Sequence, residues 1–482
     1  MRVRGPLRDT DVQMSVLPVF TFTGPMTCGS TQRGSASAQA FYLLGCKMKT
    51  RFSPSSILAS AVALLAIATV RAQPSLLPPG PPTAPSGRMG VRTEIRALPY
   101  MISAPGSYYL SASLMQTIAG SPGITINASR VTIDLMGFSL TGMGSPDPGI
   151  TFGPGGPFRD VTIHDGFVSG WGGDGIGLSL VSDAHVWNVT SDGNAGKGIL
   201  VGSVSIVRDV VSTNNGGDGI RTDFGCKITN AVTFYNQGTG INAGQDCHIS
   251  DSTAVSNTDD GISLGSNGVL IGSTADGNGS DGVFASTSCR ITDCSASYNG
   301  ASGVLGAGSG FNASGDACSL NGCTAYQNLN SGFSSSGGGA VGSSVQDCVS
   351  ANNGQSGFFT SAGFFGFKTV MNCRAKNNTG DGIVAINGAH VYRNTCEQNY
   401  QNGINVGGNL NIIEQNFVLL NTGNGIKSTN VPGGSGNMIA SNRAAQNSGG
   451  NFSFFASDTT GPIIVGPVIL SSPSAAMANI SF

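Results

Sequence analysis

The sequence predicts an all-β solenoid in which short parallel strands wind into stacked coils. Three observations predict it. First, Gly followed by an aliphatic residue recurs every 21 residues at Gly198-Ile199, Gly219-Ile220, Gly240-Ile241, Gly261-Ile262, Gly282-Val283 and Gly303-Val304. It continues more loosely at Gly332, Gly357, Gly382, Gly403 and Gly425. Second, an Asn stands four residues before each of these glycines, from Asn194 to Asn421, and Asn447 precedes a weaker copy. Third, the residue eight positions before each of these asparagines is always Val, Ile or Leu, from Val186 to Ile439. One coil cannot bury its own aliphatic side chains, but stacked coils place like on like and build a continuous core. In-register Asn side chains can satisfy one another at an inward turn. The glycines are expected to supply turn conformations with positive φ.

Composition limits the function classes. The 482 residues include 73 Gly, only 10% are charged, and the formal charge is −2. That balance does not suggest nucleic-acid binding or an acidic tail. Residues 1–47 carry no pattern and are expected to be an over-long N-terminal extension, with Met48 as the true start. Residues 48–72 read as a signal peptide: Lys49 and Arg51 precede an apolar run from Ile57 to Val70, and cleavage is expected after Ala72. The competing reading is a single anchoring helix. Residues 73–93 are a Pro-rich linker, which cannot form helix or central strand. The segment 94–148 is expected to form an N-terminal cap and first coil, 149–455 the repeats, and 456–482 a C-terminal cap that shields the open end. No membrane span is expected after signal cleavage, and the protein is expected to be secreted, periplasmic or at the cell surface.

The Asn series, the 21-residue period and the stacked aliphatics resemble the right-handed parallel β-helix superfamily of pectate lyases, polygalacturonases and periplasmic β-helix proteins. The resemblance covers roughly residues 120–455 and implies a right-handed parallel β-helix of about 12–14 coils with N- and C-terminal caps. The segments LPYMISAPGSYYLSASL and GITINASRVTIDLMGFSLTG resemble the entry segment of bacterial exported members. The stretch NTDDG at 257–261 resembles the acid-rich motif of polygalacturonases. However, Asp260 shares a column with Asp218, Asp281, Asp381, Ser302 and Asn402, as an ordinary turn residue would. The Gly-His-Gly and Arg-Ile-Lys elements of that family are missing as well.

Nine cysteines follow residue 72. Cys226, Cys247, Cys289 and Cys318 lie about ten residues before a column Asn. Cys294, Cys323, Cys348 and Cys373 lie five before one, and Cys396 stands apart. Val, Ala, Ser and Gly share these columns, which favours free stacked thiols over disulfides. Cys226–Cys247 is the pair best placed to bridge.

If the aliphatic position points inward, its predecessor points outward. That column holds His185, Lys227, His248, Arg290 and His390, and Asp251 and Asp293 follow three residues after His248 and Arg290. A polysaccharide lyase needs a base and a cation for the enolate charge, roles open to Lys227, His248 or Arg290. Asp251 and Asp293 are candidate Ca²⁺ ligands, and no other cofactor is implied. The coils from 198 to 303 are too short to carry groove walls. The expectation is therefore an exported protein that binds a polysaccharide or cell-envelope glycan, or serves as a surface scaffold. The alternative is a lyase or glycoside hydrolase acting on acidic polysaccharide through the His248 region.

Overall fold

The computed structural model describes residues 92–118, 120–143, 147–300, 308–335, 342–360, 368–429, 436–465 and 477–481. The expected extension and signal peptide, and nearly all of the linker, lie outside the described residues. Every coil contributes one short strand to a 16-stranded sheet, and further strands to a 30-stranded sheet. In the uniform coils the pattern is Ile241–Ala243 in the smaller sheet, then His248–Ser250 and Thr253–Val255 in the larger one. Nearer the N-terminus the larger sheet is built from unbroken strands, Phe158–Ser169 and Val181–Asp192. The segment 94–148 winds in the same way: Tyr100–Ile102 pairs with Ile124–Ile126, and that strand with Ile150–Phe152, all parallel.

The core consists of axial files. Val186, Val207, Ile228, Ile249, Leu270 and Ile291 follow one another in register, all buried. A second file runs Ile220, Ile241, Ile262, Val283 on the smaller sheet. A third is small: Ala254, Ala275, Ala296, Ala325. Period-2 alternation makes this inevitable, since a one-residue slip would turn every aliphatic side chain to solvent. The next partner of Val283 is Phe311, not Val304. The coil thus gains an insertion after Asn299, and Gly310-Phe311 takes the place expected for Gly303-Val304. Phe311, Phe333 and Phe358 then stack with centroids 5.0 and 4.8 Å apart.

The asparagine column forms a hydrogen-bonded ladder. Asn257 donates Nδ2 to Oδ1 of Asn278 at 3.0 Å, and Asn278 donates Nδ2 to Oδ1 of Asn299 at 3.0 Å. The same Oδ1 of Asn278 accepts the backbone N–H of Asn257 at 3.0 Å. The ladder runs on through Asn328, Asn353, Asn378, Asn399 and Asn421 to Asn447. The two cysteine columns perform the same task with sulfur. Cys226 N–H meets Cys247 Sγ at 3.3 Å, and Cys323 N–H meets Cys348 Sγ at 3.3 Å. Towards the C-terminus Asn replaces Cys: Asn394, Asn416, Asn442 and Asn479 form a second ladder in the column of Cys373. All nine cysteines are free and buried.

The repeat glycines act differently from expectation. Gly261 does not have positive φ; a Cβ there would lie 2.6 Å from Asn278 Nδ2 and 2.7 Å from Gly282 O. Close approach of the coils therefore requires this glycine. The left-handed conformations fall instead on bend residues such as Asp209, Asn230, Asp251, Ser256 and Asp293. Asp and Asn are the residues that tolerate αL best after Gly, which explains their abundance there.

Candidate functional site

On the larger sheet, outward residues also form files. The expected basic column is real: His185, Ile206, Lys227, His248, Val269 and Arg290 are consecutive partners. Lys227 and His248 are therefore neighbours, while Val269 separates His248 from Arg290. His185, Lys227 and Arg290 are exposed and His248 is half-buried. Among the described residues none of these four side chains makes an ion pair, and Nε2 of His248 is buried without a partner. Asp251 and Asp293 occupy the left-handed bend that follows the strand, both exposed, with φ of 52° and 53°. They lie two coils apart with Gly272 between them, a separation of ~10 Å. Both belong to the bend file that also holds Asp165, Asn188, Asp209 and Asn230. Asn188 donates to Asp165 at 2.7 Å and Asn230 to Asp209 at 2.8 Å, so acids alternate with neutral residues up the axis.

The densest polar cluster lies two residues further along the same strands, at the N-terminal end. Tyr109, Asp134, His164, Trp187 and Arg208 are successive partners in one outward file. Arg92 reaches Asp134, Nη2 to Oδ2 at 2.5 Å, and lies over Tyr109 at 4.9 Å. His164 Nδ1 is 2.8 Å from Asp165 Oδ2 and 3.7 Å from Asp134 Oδ1. Its ring stacks on Trp187 at 4.7 Å and 3°, and Arg208 covers Trp187 at 5.1 Å. Hydrogen bonds from Asn188 and His164 hold the Asp165 carboxyl below the usual range. Bonds from Asn230 and Arg208 do the same for Asp209.

Beside this file is a depression of about 290 Å³ lined by Arg130, Thr132, Asp160, Thr162, Asp183 and His185. Arg130, Asp160 and Asp183 form one rim in left-handed conformations. Thr132, Thr162 and His185 are its floor, and the file of Asp134, His164 and Trp187 runs two residues further along the same strands. The floor is the N-terminal continuation of the basic column, so Lys227 and His248 lie further along the same track.

Asp134, His164 and Asp165 also bring ligand atoms within 4.8 Å of one another, the only such group among the described residues. Arg92 already supplies the positive charge there, so a divalent ion would have to displace it. Sequence reasoning missed this cluster. The signal was the pair His164-Asp165 in VTIHDGF, on a strand whose neighbours are 30 and 23 residues away rather than 21.

The turn carboxylates of the NTDDG column are structural. Asp281 N–H donates to Asp260 Oδ1 at 3.0 Å. Asp281 in turn accepts Gly308 N–H, Ser309 N–H and Asn312 Nδ2. Burial, and then Asp281, push Asp260 up to about 6.

Residues 240–395 match the family model described as the right handed beta helix region. No curated protein matches the sequence. Among solved structures, the A-module of a mannuronan C-5 epimerase from Azotobacter vinelandii is similar at 15% identity, over 74% of this chain and 91% of that chain, with a TM-score of 0.33. A pectate lyase is similar at 18% identity, over 57% and 72%, with a TM-score of 0.30. A surface adhesin of Streptococcus pneumoniae is similar at 12% identity, over 80% and 91%, with a TM-score of 0.26. Among the described residues no helix is long and apolar enough to cross a membrane. The match over 240–395 and the same in-register coils on either side of it give the chain the fold of a right-handed parallel β-helix.

Proposed function

We infer that this is an exported carbohydrate-binding β-helix protein, and that it binds through the outer face of the larger sheet in its N-terminal coils. The observation that carries the reading is the depression lined by Arg130, Thr132, Asp160, Thr162, Asp183 and His185, with the stacked His164 and Trp187 in the neighbouring file. Sugar hydroxyls are both donors and acceptors. A shallow site lined by carboxylates, threonines, an imidazole and guanidinium groups pairs with them in fixed directions. The stacked rings and ion pairs hold these groups before the ligand arrives, which lowers the ordering cost of binding. Export rests on the apolar run 57–70 and its cleavage sequence.

The test is binding of the purified protein to immobilised polyuronate and to a neutral β-glucan, with Trp187→Ala and His185→Ala variants alongside. The expected result is retention of wild type on one of the polymers and at least ten-fold weaker binding by both variants. Equal binding by wild type and variants would overturn the location. The alternative, a lyase or hydrolase of acidic polysaccharide acting through Lys227 and His248, predicts new absorbance near 235 nm or reducing ends, lost in Lys227→Ala.

A further inference from the structure

The two outward files that build the N-terminal site run the length of the rod. From Trp187 the register leads through Arg208, Thr229 and Ser250 and onward to Met371 and Tyr392, nine strand-to-strand steps in all. At ~4.8 Å per step the two aromatic residues are ~43 Å apart along the axis. Over the same interval the parallel file leads from His185 to His390. Between these end points neither file contains a Trp, Tyr or Phe, and neither contains a carboxylate.

At the far end the ingredients of the first site reappear. Nε2 of His390 lies 2.9 Å from Oε1 of Glu414, the partner of Tyr392 on the next coil. The His390 and Tyr392 rings are 5.6 Å apart. The Arg393 guanidinium covers Tyr392 at 4.6 Å and donates Nε to Gln415 at 3.2 Å. An imidazole–carboxylate pair, an aromatic ring and a stacked guanidinium thus reappear, with Tyr392 and Glu414 in the file of Trp187, His390 in the file of His185 and Arg393 at the adjoining bend.

We propose that His390, Tyr392, Arg393 and Glu414 form a second carbohydrate platform, and that the rod engages one extended glycan chain at both platforms. The proposal rests on the carbohydrate reading of the N-terminal face. Between the platforms the two files carry hydroxyl side chains such as Thr229, Ser250, Thr292 and Ser319, and the cations Lys227 and Arg290. A chain bound at one platform meets the other as an intramolecular partner. Polymers long enough to span both should therefore bind far more tightly than short oligomers, with no new kind of contact.

Titration calorimetry with a polyuronate trimer and with a polymer fraction longer than the span tests this on wild type, Trp187→Ala, Tyr392→Ala and Glu414→Gln. The last variant preserves size, and unchanged melting temperatures confirm folding. The expected result is two trimers per wild-type molecule and one per Tyr392→Ala molecule. Polymer affinity should fall at least ten-fold in Tyr392→Ala and also in Glu414→Gln. A stoichiometry of one trimer in wild type, lost in Trp187→Ala and untouched in the other two variants, would overturn the second platform and leave the first standing. No binding of trimer or polymer by wild type would remove both.

Discussion

Asp260 accepts the backbone N–H of Asp281 at 3.0 Å, so two carboxyl groups stand one above the other in adjacent turns, Asp281 buried and Asp260 half-buried. Burial raises both above the ordinary carboxylate range. For Asp260 the value is about 6 against 3.8, equivalent to about 3 kcal/mol. A raised folded value means that the folded state holds a proton which the unfolded chain has released. Stability therefore falls as pH rises from about 4 to about 6, and the cost is complete above that.

Asp260→Asn should stabilise the protein at pH 7 by about 1–3 kcal/mol and flatten its stability between pH 4 and pH 6. The amide keeps the acceptor for Asp281 N–H, and Asn402 already fills the equivalent turn further along, hydrogen-bonded to Asp381 at 2.8 Å. Urea unfolding at a series of pH values checks this. A variant less stable than wild type at pH 7 would contradict the ionised pair.

Asn278→Ala should cost about 3 kcal/mol, because it leaves the buried Asn257 N–H without its acceptor and opens a gap in the ladder. The solvent-exposed Asn230→Ser should cost less than about 1 kcal/mol, since water replaces its bond to Asp209. The comparison is made by urea unfolding of the two variants side by side.

Phe333 is sandwiched between Phe311 and Phe358 and fully buried. Phe333→Ala should cost about 3–5 kcal/mol, whereas Phe333→Leu, nearer in volume, should cost less than about 2 kcal/mol. Nearly equal melting temperatures for the two variants would show that the aromatic stack tolerates a void.

The nine thiols from Cys226 to Cys396 should resist a thiol reagent such as DTNB in the native protein and react on unfolding. Burial holds Cys396 far above the usual thiol range. The stacked Cys323, and then burial, do the same for Cys294. The thiolate is the reactive form, so at Cys396 and Cys294 both access and ionisation oppose reaction, and at the other thiols burial does. Cys348→Ser should be tolerated better than Cys348→Val, because the hydroxyl still accepts Cys323 N–H.

The repeating part of the molecule was legible in the sequence for a local reason. With a constant interval of 21, the residue above any position is known without knowing the path between them. The Asn ladder, the aliphatic files and the structural role of Asp260 follow from that alone. The outward position of Lys227, His248 and Arg290 follows too, by strand alternation.

What the interval could not convey, the tertiary structure decided. Asp134, His164 and Trp187 become neighbours only because turns of unequal length bring strands 30 and 23 residues apart into register. The insertion after Asn299 shifts the next coil to Phe311, and only the packing of Phe311 on Phe333 fixes where the repeat resumes. Gly261 likewise reads as a turn residue in one dimension. The reason for it, a ladder amide and a carbonyl of the next coil within 2.7 Å of any added Cβ, exists only once the coils are stacked. Sequence determines which residues repeat, and turn geometry determines which of them touch.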